Sequence, residues 1–199
     1  MDRGCTEVMP IIPLDIEFDI NELIDYYNIL ERDYQHLKWT FKDDVEDADK
    51  GHKHEGIFGW GIQSNLQDLS LPCPPYDIHK NRTKIYRDTD LVFGFAQKII
   101  DYFPNVRQLG IAGHPPGVEI AQHIDNDEYY KIHIPITSNN DAYFVFNDTK
   151  YVMQPGKLYF VETEIMHGTI NEGNNTRVHM LFKLPRTTMV DVRNMNGKL

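Results

Sequence analysis

His123 and Asp125 stand two positions apart, and with a second histidine at His167 they form the set in this sequence best suited to chemistry. On an extended chain, residues i and i+2 point to the same side, so the imidazole and the carboxylate can converge on one point. His167 opens a later β-rich run, which an antiparallel sandwich can bring back beside the first pair. Two imidazoles and one carboxylate on one face of an octahedral metal leave three positions open, the ligand set of non-haem iron(II) oxygenases. A closed structural zinc site would want a fourth side chain, generally cysteine, and Cys73 stands in no recognisable zinc spacing. In a chain with nine histidines, one His-x-Asp is weak by itself. Its place at a strand end, His167, and Arg177 on the last long β run give it weight.

Arg177 has a use if the open metal positions take a 2-oxo acid such as 2-oxoglutarate, whose remote carboxylate needs a cation. A guanidinium meets a carboxylate with two parallel hydrogen bonds. If its strand alternates, Arg177, His179 and Leu181 share one face, and a charge on an inward face needs a partner. In the run YYKIHIPI, Tyr130, Ile132, Ile134 and Ile136 form an apolar set. That puts Lys131 and His133 on the opposite face, where His133 can reach cosubstrate carboxylates if the face lines the cavity.

These side chains must be positioned by strands. From Arg107 onward the sequence breaks into eight short β-rich runs, RQLGIAG, GVEIAQHI, YYKIHIPI, AYFVF, YVMQ, KLYFVE, MHGTI and TRVHMLFKL. Turn residues such as Pro116-Gly117, Asn147-Asp148 and Pro155-Gly156 separate them. That spacing predicts a double-sheet jelly roll or barrel. Ahead of it, the stripe Leu23, Ile24, Tyr27, Leu30, Tyr34 predicts a helix within 20–42, capped by Asp19 or Asn21. Leu91, Phe95, Ile99 and Phe103 predict a second over 88–103, capped by Asp88 or Thr89 and stopped by Pro104. The stretch 43–57, with His52-Lys53-His54, reads as a solvated loop, and 59–87 as an irregular connection or lid. Trp39, Trp60 and His114 are candidates for the pocket mouth, with packing as the plainer role. The expectation is a mostly β protein with N-terminal helices (α+β) on a double-stranded β-helix of the cupin type. It is organised as one domain over 1–199, with 1–106 as helical and irregular packing, 107–184 as the catalytic jelly roll and 185–199 as a tail.

Length and charge narrow the function classes. A chain of 199 residues can bury a genuine core. No segment approaches the roughly twenty apolar residues of a membrane helix, and the N-terminus lacks the pattern of a secretory signal. With only two cysteines, Cys5 and Cys73, a reducing, cytoplasmic setting is expected. The formal charge of −10 argues against nonspecific nucleic-acid binding and for a small-molecule or peptide substrate. The acidic loop Asp125-Asn126-Asp127-Glu128 could attract an amine-bearing substrate. Oligomeric state is not legible.

The runs GVEIAQHID, YYKIHIPI and QPGKLYFVETEIMHGTINEGNNTRVHMLF resemble the aspartyl/asparaginyl β-hydroxylase-like branch of the iron(II)/2-oxoglutarate-dependent oxygenases, which includes hydroxylases of free proline. The resemblance spans about 107–184 and is carried by His123-x-Asp125, Lys131-x-His133, Gly156-Lys157, His167-x-x-x-Asn171 and Arg177 together. It implies a jelly roll with His123, Asp125 and His167 as iron(II) ligands, and Arg177, His133 and Lys131 toward 2-oxoglutarate. Molecular oxygen would be consumed, an amino acid, free or in a peptide, hydroxylated, and succinate and carbon dioxide released. Asp125 stands where some relatives acting on protein side chains have glycine, Ala112 where certain relatives have a serine for the cosubstrate, and Lys131 where many carry arginine. Two other readings stand beside this one. One is a cupin-like metalloenzyme that does not use 2-oxoglutarate, separated by whether Arg177 faces the metal pocket. The other is a non-catalytic jelly-roll binding module, separated by metal content. Repair of alkylated nucleic acid uses the same ligands but fits the acidic charge poorly.

Overall fold

The computed structural model describes residues 9–41, 54–74, 85–103, 105–125, 128–187 and 192–199. The chain opens with strand β1, Ile11–Glu17, followed by helix α1, Ile20–Asp33. Asp19 caps the helix by accepting from Asn21 N at 2.9 Å, and Leu23, Tyr26 and Leu30 form its buried stripe. The helix ends well before Lys42. A 3-10 turn at Gln35–Leu37 follows, the Trp60 indole N–H donates to the Tyr34 carbonyl at 3.0 Å, and the chain becomes strand β2, Trp39–Thr40. Strands β3, Phe58–Gly61, β4, Gln63–Ser64, and β5, Arg87–Asp88, come next.

Helix α2, Gly94–Tyr102, starts later than its periodicity suggests. The two expected caps are occupied elsewhere: Asp88 pairs in β5 and accepts from Gln63 Nε2 at 2.9 Å, and the Thr89 hydroxyl donates to Ile62 O at 2.8 Å. Eight strands then follow, seven of them on the runs read from sequence. They are β6, Arg107–His114; β7, Glu119–His123; β8, Tyr129–Thr137; β9, Ala142–Phe146; β10, Thr149–Tyr151; β11, Leu158–Val161; β12, His167–Asn171; and β13, Arg177–Pro185. The run YVMQ is strand only at Tyr151, because β10, which pairs with β9, starts earlier, at Thr149. A last short strand, β14, Asn196–Lys198, closes the chain.

An eight-stranded sheet runs in the order β14-β1-β11-β8-β13-β6-β3-β2, a four-stranded sheet in the order β10-β9-β12-β7, and β4 pairs with β5. The larger sheet therefore recruits β1, β2 and β3 from before Arg107 and β14 from the tail. Strand β1 carries Pro13, which cannot donate to a ladder. It is tolerated because β1 pairs with β11 at Ile11–Leu14 while β14 lies beside only Asp15–Glu17.

Cross-strand register sorts the larger sheet into two faces. Ile132, Ile134, Val178, Met180, Phe182, Ile111 and Phe160 point to one side and pack under Leu23, Tyr26 and Leu30 of α1 and Phe95, Ala96 and Ile99 of α2. The other side turns toward the four-stranded sheet, where Ile11, Tyr159 and Val161 meet Phe144 and Phe146 of β9. At the His167 end of β12 the ladder with β7 slips. A Cβ on Gly168 would stand 2.6 Å from the Ile120 carbonyl oxygen, so glycine is needed for the close approach.

Candidate active site

The slip beside Gly168 sets His167 directly opposite His123, whose rings lie 4.5 Å apart. Asp125 follows β7 on a loop pinned by its own N–H to the Thr163 carbonyl at 2.9 Å. Its carboxylate reaches both imidazoles, with Oδ1 3.5 Å from His123 Nε2 and Oδ2 3.7 Å from His167 Nε2. Each imidazole is turned by its other nitrogen: His123 Nδ1 sits 2.9 Å from Ala121 O, and His167 Nδ1 3.0 Å from Ile165 O. A carbonyl can only accept, so both Nδ1 atoms carry hydrogen, and each Nε2 is the nitrogen turned to the carboxylate side, where it can give a metal its lone pair once the ring is neutral.

One ligand atom from each of His123, Asp125 and His167 lies within 4.8 Å of the others, and this is the one such grouping among the described residues. Ligands at right angles around a metal, ~2.1 Å away, stand ~3 Å apart. The set fits a divalent metal with little adjustment. Electrostatics agree. Burial pushes the Asp125 carboxyl up, but hydrogen bonding from His123 and the Lys131 ammonium outweigh it and hold it far below the usual carboxylate range. Burial, together with the nearby His123 and Lys131, brings His167 down to about 4, so it is neutral and able to bind metal at neutral pH. The hydrogen bond with Asp125 raises His123.

Lys131 lies on the same side of the sheet, opposite Lys183, and donates to Asp125 Oδ2. Farther in, on the same face, stand His133, His179, Arg177 and His114, all buried. Arg177 pairs across the ladder with His114, and its Nη2 is 2.9 Å from His114 Nδ1. His133 Nδ1 and His179 Nδ1 are 3.4 Å apart. Burial first, and the Arg177 charge second, push His114, His133 and His179 well below the usual imidazole range, so all three are neutral. Phe144 roofs the cluster, its ring 5.2 Å from the Arg177 guanidinium carbon and 5.2 Å from the His133 ring. Phe146, two residues on, lies 5.8 Å from the His167 ring. Polar atoms line the gap: His179 Nε2 and Thr169 Oγ1 are buried and have no hydrogen-bond partner among the described residues.

The residues singled out from sequence, His123, Asp125, His167, Lys131, His133 and Arg177, thus share one space between the two sheets. The three mouth candidates take packing or interior positions instead. Trp60 is fully buried under the helices, Trp39 packs edge-on against Phe41, and His114 lies behind Arg177 in the interior. Of the His52-Lys53-His54 triplet only His54 is described, and its ring packs against Phe41. In the acidic loop Asn126 and Asp127 lie outside the described residues. What the sequence concealed was the partner of Arg177. His114 lies 63 positions away, and only the β6–β13 register would have revealed it. A separate cavity of about 720 Å³ is lined by Arg107, Glu128, Tyr129, Glu164 and Arg186 among others. Two of its wall residues, Glu128 and Glu164, each stand three positions in sequence from a member of the triad, Asp125 and His167.

No curated protein sequence matches the chain significantly. Among solved structures, an oxidoreductase of the 2OG-Fe(II) oxygenase family from Burkholderia pseudomallei superposes with a TM-score of 0.57 at 12% identity, covering 84% of this chain and 80% of that one. That likeness shows the fold. Smaller portions match a viral collagen prolyl hydroxylase from Paramecium bursaria Chlorella virus-1, in complex with 2OG, with a TM-score of 0.38, 12% identity, and 48% and 73% of the two chains covered. A predicted oxalate decarboxylase from Thermotoga maritima gives a TM-score of 0.35, 15% identity, and 46% and 76% coverage. Residues 70–187 match the family model of the aspartyl/asparaginyl beta-hydroxylases. That span is more than half of the chain and includes every residue of the two-histidine, one-carboxylate cluster and of the Arg177 pocket, so the chain belongs to the aspartyl/asparaginyl β-hydroxylase family.

Proposed function

We propose that the protein is an iron(II)/2-oxoglutarate-dependent dioxygenase that hydroxylates an amino acid, free or within a peptide. In this reading His123, Asp125 and His167 hold the iron, and Arg177, His133 and Lys131 serve the cosubstrate. The observation that carries it is the placement of a buried arginine and a metal-competent triad on facing walls of one space. Family membership supports the same class. Bound iron and 2-oxoglutarate supply the oxidising power, coupling loss of carbon dioxide from the cosubstrate to oxidation of a substrate C–H bond by molecular oxygen.

The chain's own residues bind, orient and exclude water. Backbone carbonyls at Ala121 and Ile165 keep the two imidazoles in the tautomer that offers Nε2. Lys131 stabilises the Asp125 carboxylate as an anion without occupying both of its oxygens. Arg177 offers a fixed charge for a remote carboxylate. Its roof, Phe144, and the His167 neighbour, Phe146, are two residues apart on one strand, so the guanidinium and the triad lie along the same strip of β9. Phe144, Phe146 and Tyr159 close the space with apolar surface and keep it dry. The 720 Å³ cavity is the candidate substrate chamber, since Glu128 and Glu164 on its wall are three positions in sequence from Asp125 and His167. Charges of both signs there suit an amino acid or a peptide better than a nucleic acid.

We also read 1–199 as a single domain in which 107–184 carries the chemistry, in the cytoplasmic setting that a sequence with only two cysteines suits. No helix among the described residues is long and apolar enough to cross a membrane. The test is succinate release from 2-oxoglutarate by the iron-loaded protein, screened across amino acids and short peptides. Release that depends on one substrate and disappears in His167→Ala supports the assignment. Full turnover in that variant overturns it.

A further inference from the structure

His114 is buried and accepts a hydrogen bond from Arg177, and the geometry constrains what that bond can be. A guanidinium only donates, so the 2.9 Å contact from Arg177 Nη2 must end on a lone pair at His114 Nδ1. The imidazole therefore carries its hydrogen on Nε2 and is neutral. Its backbone is anchored as well: β6 and β13 pair at His114↔Arg177, and Asn171 Nδ2 donates to the His114 carbonyl at 2.8 Å. Phe144 meets the guanidinium from the four-stranded sheet, its ring 5.2 Å from the guanidinium carbon.

We infer that His114 is a positioning residue that fixes the direction of the Arg177 guanidinium, and so sets the affinity of the site for the remote carboxylate of a 2-oxo diacid. The inference rests on the proposed role of Arg177. An imidazole is the right partner chemically. A carboxylate in the same place would orient the guanidinium and also cancel its charge, competing with the ligand carboxylate. A neutral acceptor orients it and leaves the charge available. With its rotamer held, the fork loses less freedom when the ligand arrives.

The test compares two 2-oxo acids on the metal-loaded protein by calorimetric titration without oxygen: 2-oxoglutarate, and 2-oxobutyrate, which lacks the remote carboxylate. His114→Leu is expected to weaken 2-oxoglutarate about tenfold while leaving 2-oxobutyrate unchanged. His114→Asn, whose Oδ1 can stand near the lost Nδ1, is expected to stay within about threefold of wild type, and His114→Gln, with its acceptor farther out, to resemble leucine. The inference is overturned if His114→Leu binds 2-oxoglutarate as wild type does, or weakens both acids equally. Should the leucine variant not fold, the Asn and Gln pair decides, and equal affinities overturn it. Arg177→Met separates the layers. If it leaves 2-oxoglutarate binding intact, the anchor role fails; if it weakens binding while His114→Leu does not, only the role of His114 fails.

Discussion

On β8 and β13, alternate residues look into two different environments. Ile132, Ile134, Val178, Met180 and Phe182 face the helices and are almost fully buried among apolar neighbours. Lys131, His133, Arg177 and His179 face the smaller sheet, and three of those four are buried to the same degree among polar groups. The strands are the same, as is the burial along most of their length, yet the contents are opposite. Apolar burial releases free energy with each methylene removed from water. Burying a guanidinium and a row of imidazoles costs free energy, and the proposed site gives a reason to retain them. The comparison teaches that the helix-facing side holds the fold together, while the inner side, costly to bury, is where the proposed site lies.

Removing a metal ligand should separate the two most sharply. His167→Ala is expected to lower iron affinity by about a hundredfold or more and to reduce turnover to background, with the melting temperature of the metal-free protein nearly unchanged. Metal analysis after dialysis and a thermal melt check both halves. The reverse experiment is Phe182→Ala, which empties a fully buried ring position. It should cost ~3–5 kcal/mol in denaturant unfolding while the folded fraction still binds one iron. If Phe182→Ala abolished iron binding in folded protein, the division between the faces would be wrong.

Acid should act through the inner face. His114, His133 and His179 are held neutral by burial, and His167 titrates at about 4 rather than near 6.5. Between those values the unfolded chain binds more protons than the folded one, so stability falls as pH drops from about 6.5. Each buried imidazole contributes on the order of 1 kcal/mol per pH unit across that window. His123, raised by Asp125, works the other way: its contribution is present at low pH and lost as pH rises through its folded value. Urea midpoints of metal-free protein at pH 7, 6 and 5 should therefore decrease, and a flat profile would argue that the inner face is solvated.

Arg177→Met sharpens the comparison at smaller scale. Replacing a buried charge by an apolar chain of similar size is often neutral or stabilising, so the melting temperature should hold or rise. Affinity for 2-oxoglutarate should fall about a hundredfold. The smallest effect lies far from both faces. Asp19→Ala removes the α1 cap and should cost ~1 kcal/mol, without altering iron or cosubstrate binding.

Much of this was legible before the structure. The alternation through 129–136 separates the two faces because a strand has a period of two, and both sides here are buried but unlike. The candidate triad was readable because His123 and Asp125 are close in sequence. What stayed hidden depended on long-range pairing. Strand β1 carries a proline and acidic residues that blur its pattern, and it becomes a strand only against β11. The segment Asn196–Lys198 is exposed, with no apolar signal, and is strand only by lying beside β1. Helix α1 stops at Asp33 despite continuing periodicity, because Trp39 and Thr40 are taken up by β3. His114 gave no local sign of its role, which comes from a register set across two strands.

The most direct test of the central claim is anaerobic titration of the purified protein with iron(II) and then 2-oxoglutarate, following visible absorbance. The account predicts a weak charge-transfer band that saturates at one iron and one 2-oxoglutarate per chain, is absent in His167→Ala, and requires far more cosubstrate in Arg177→Met. Iron binding without that band would contradict it.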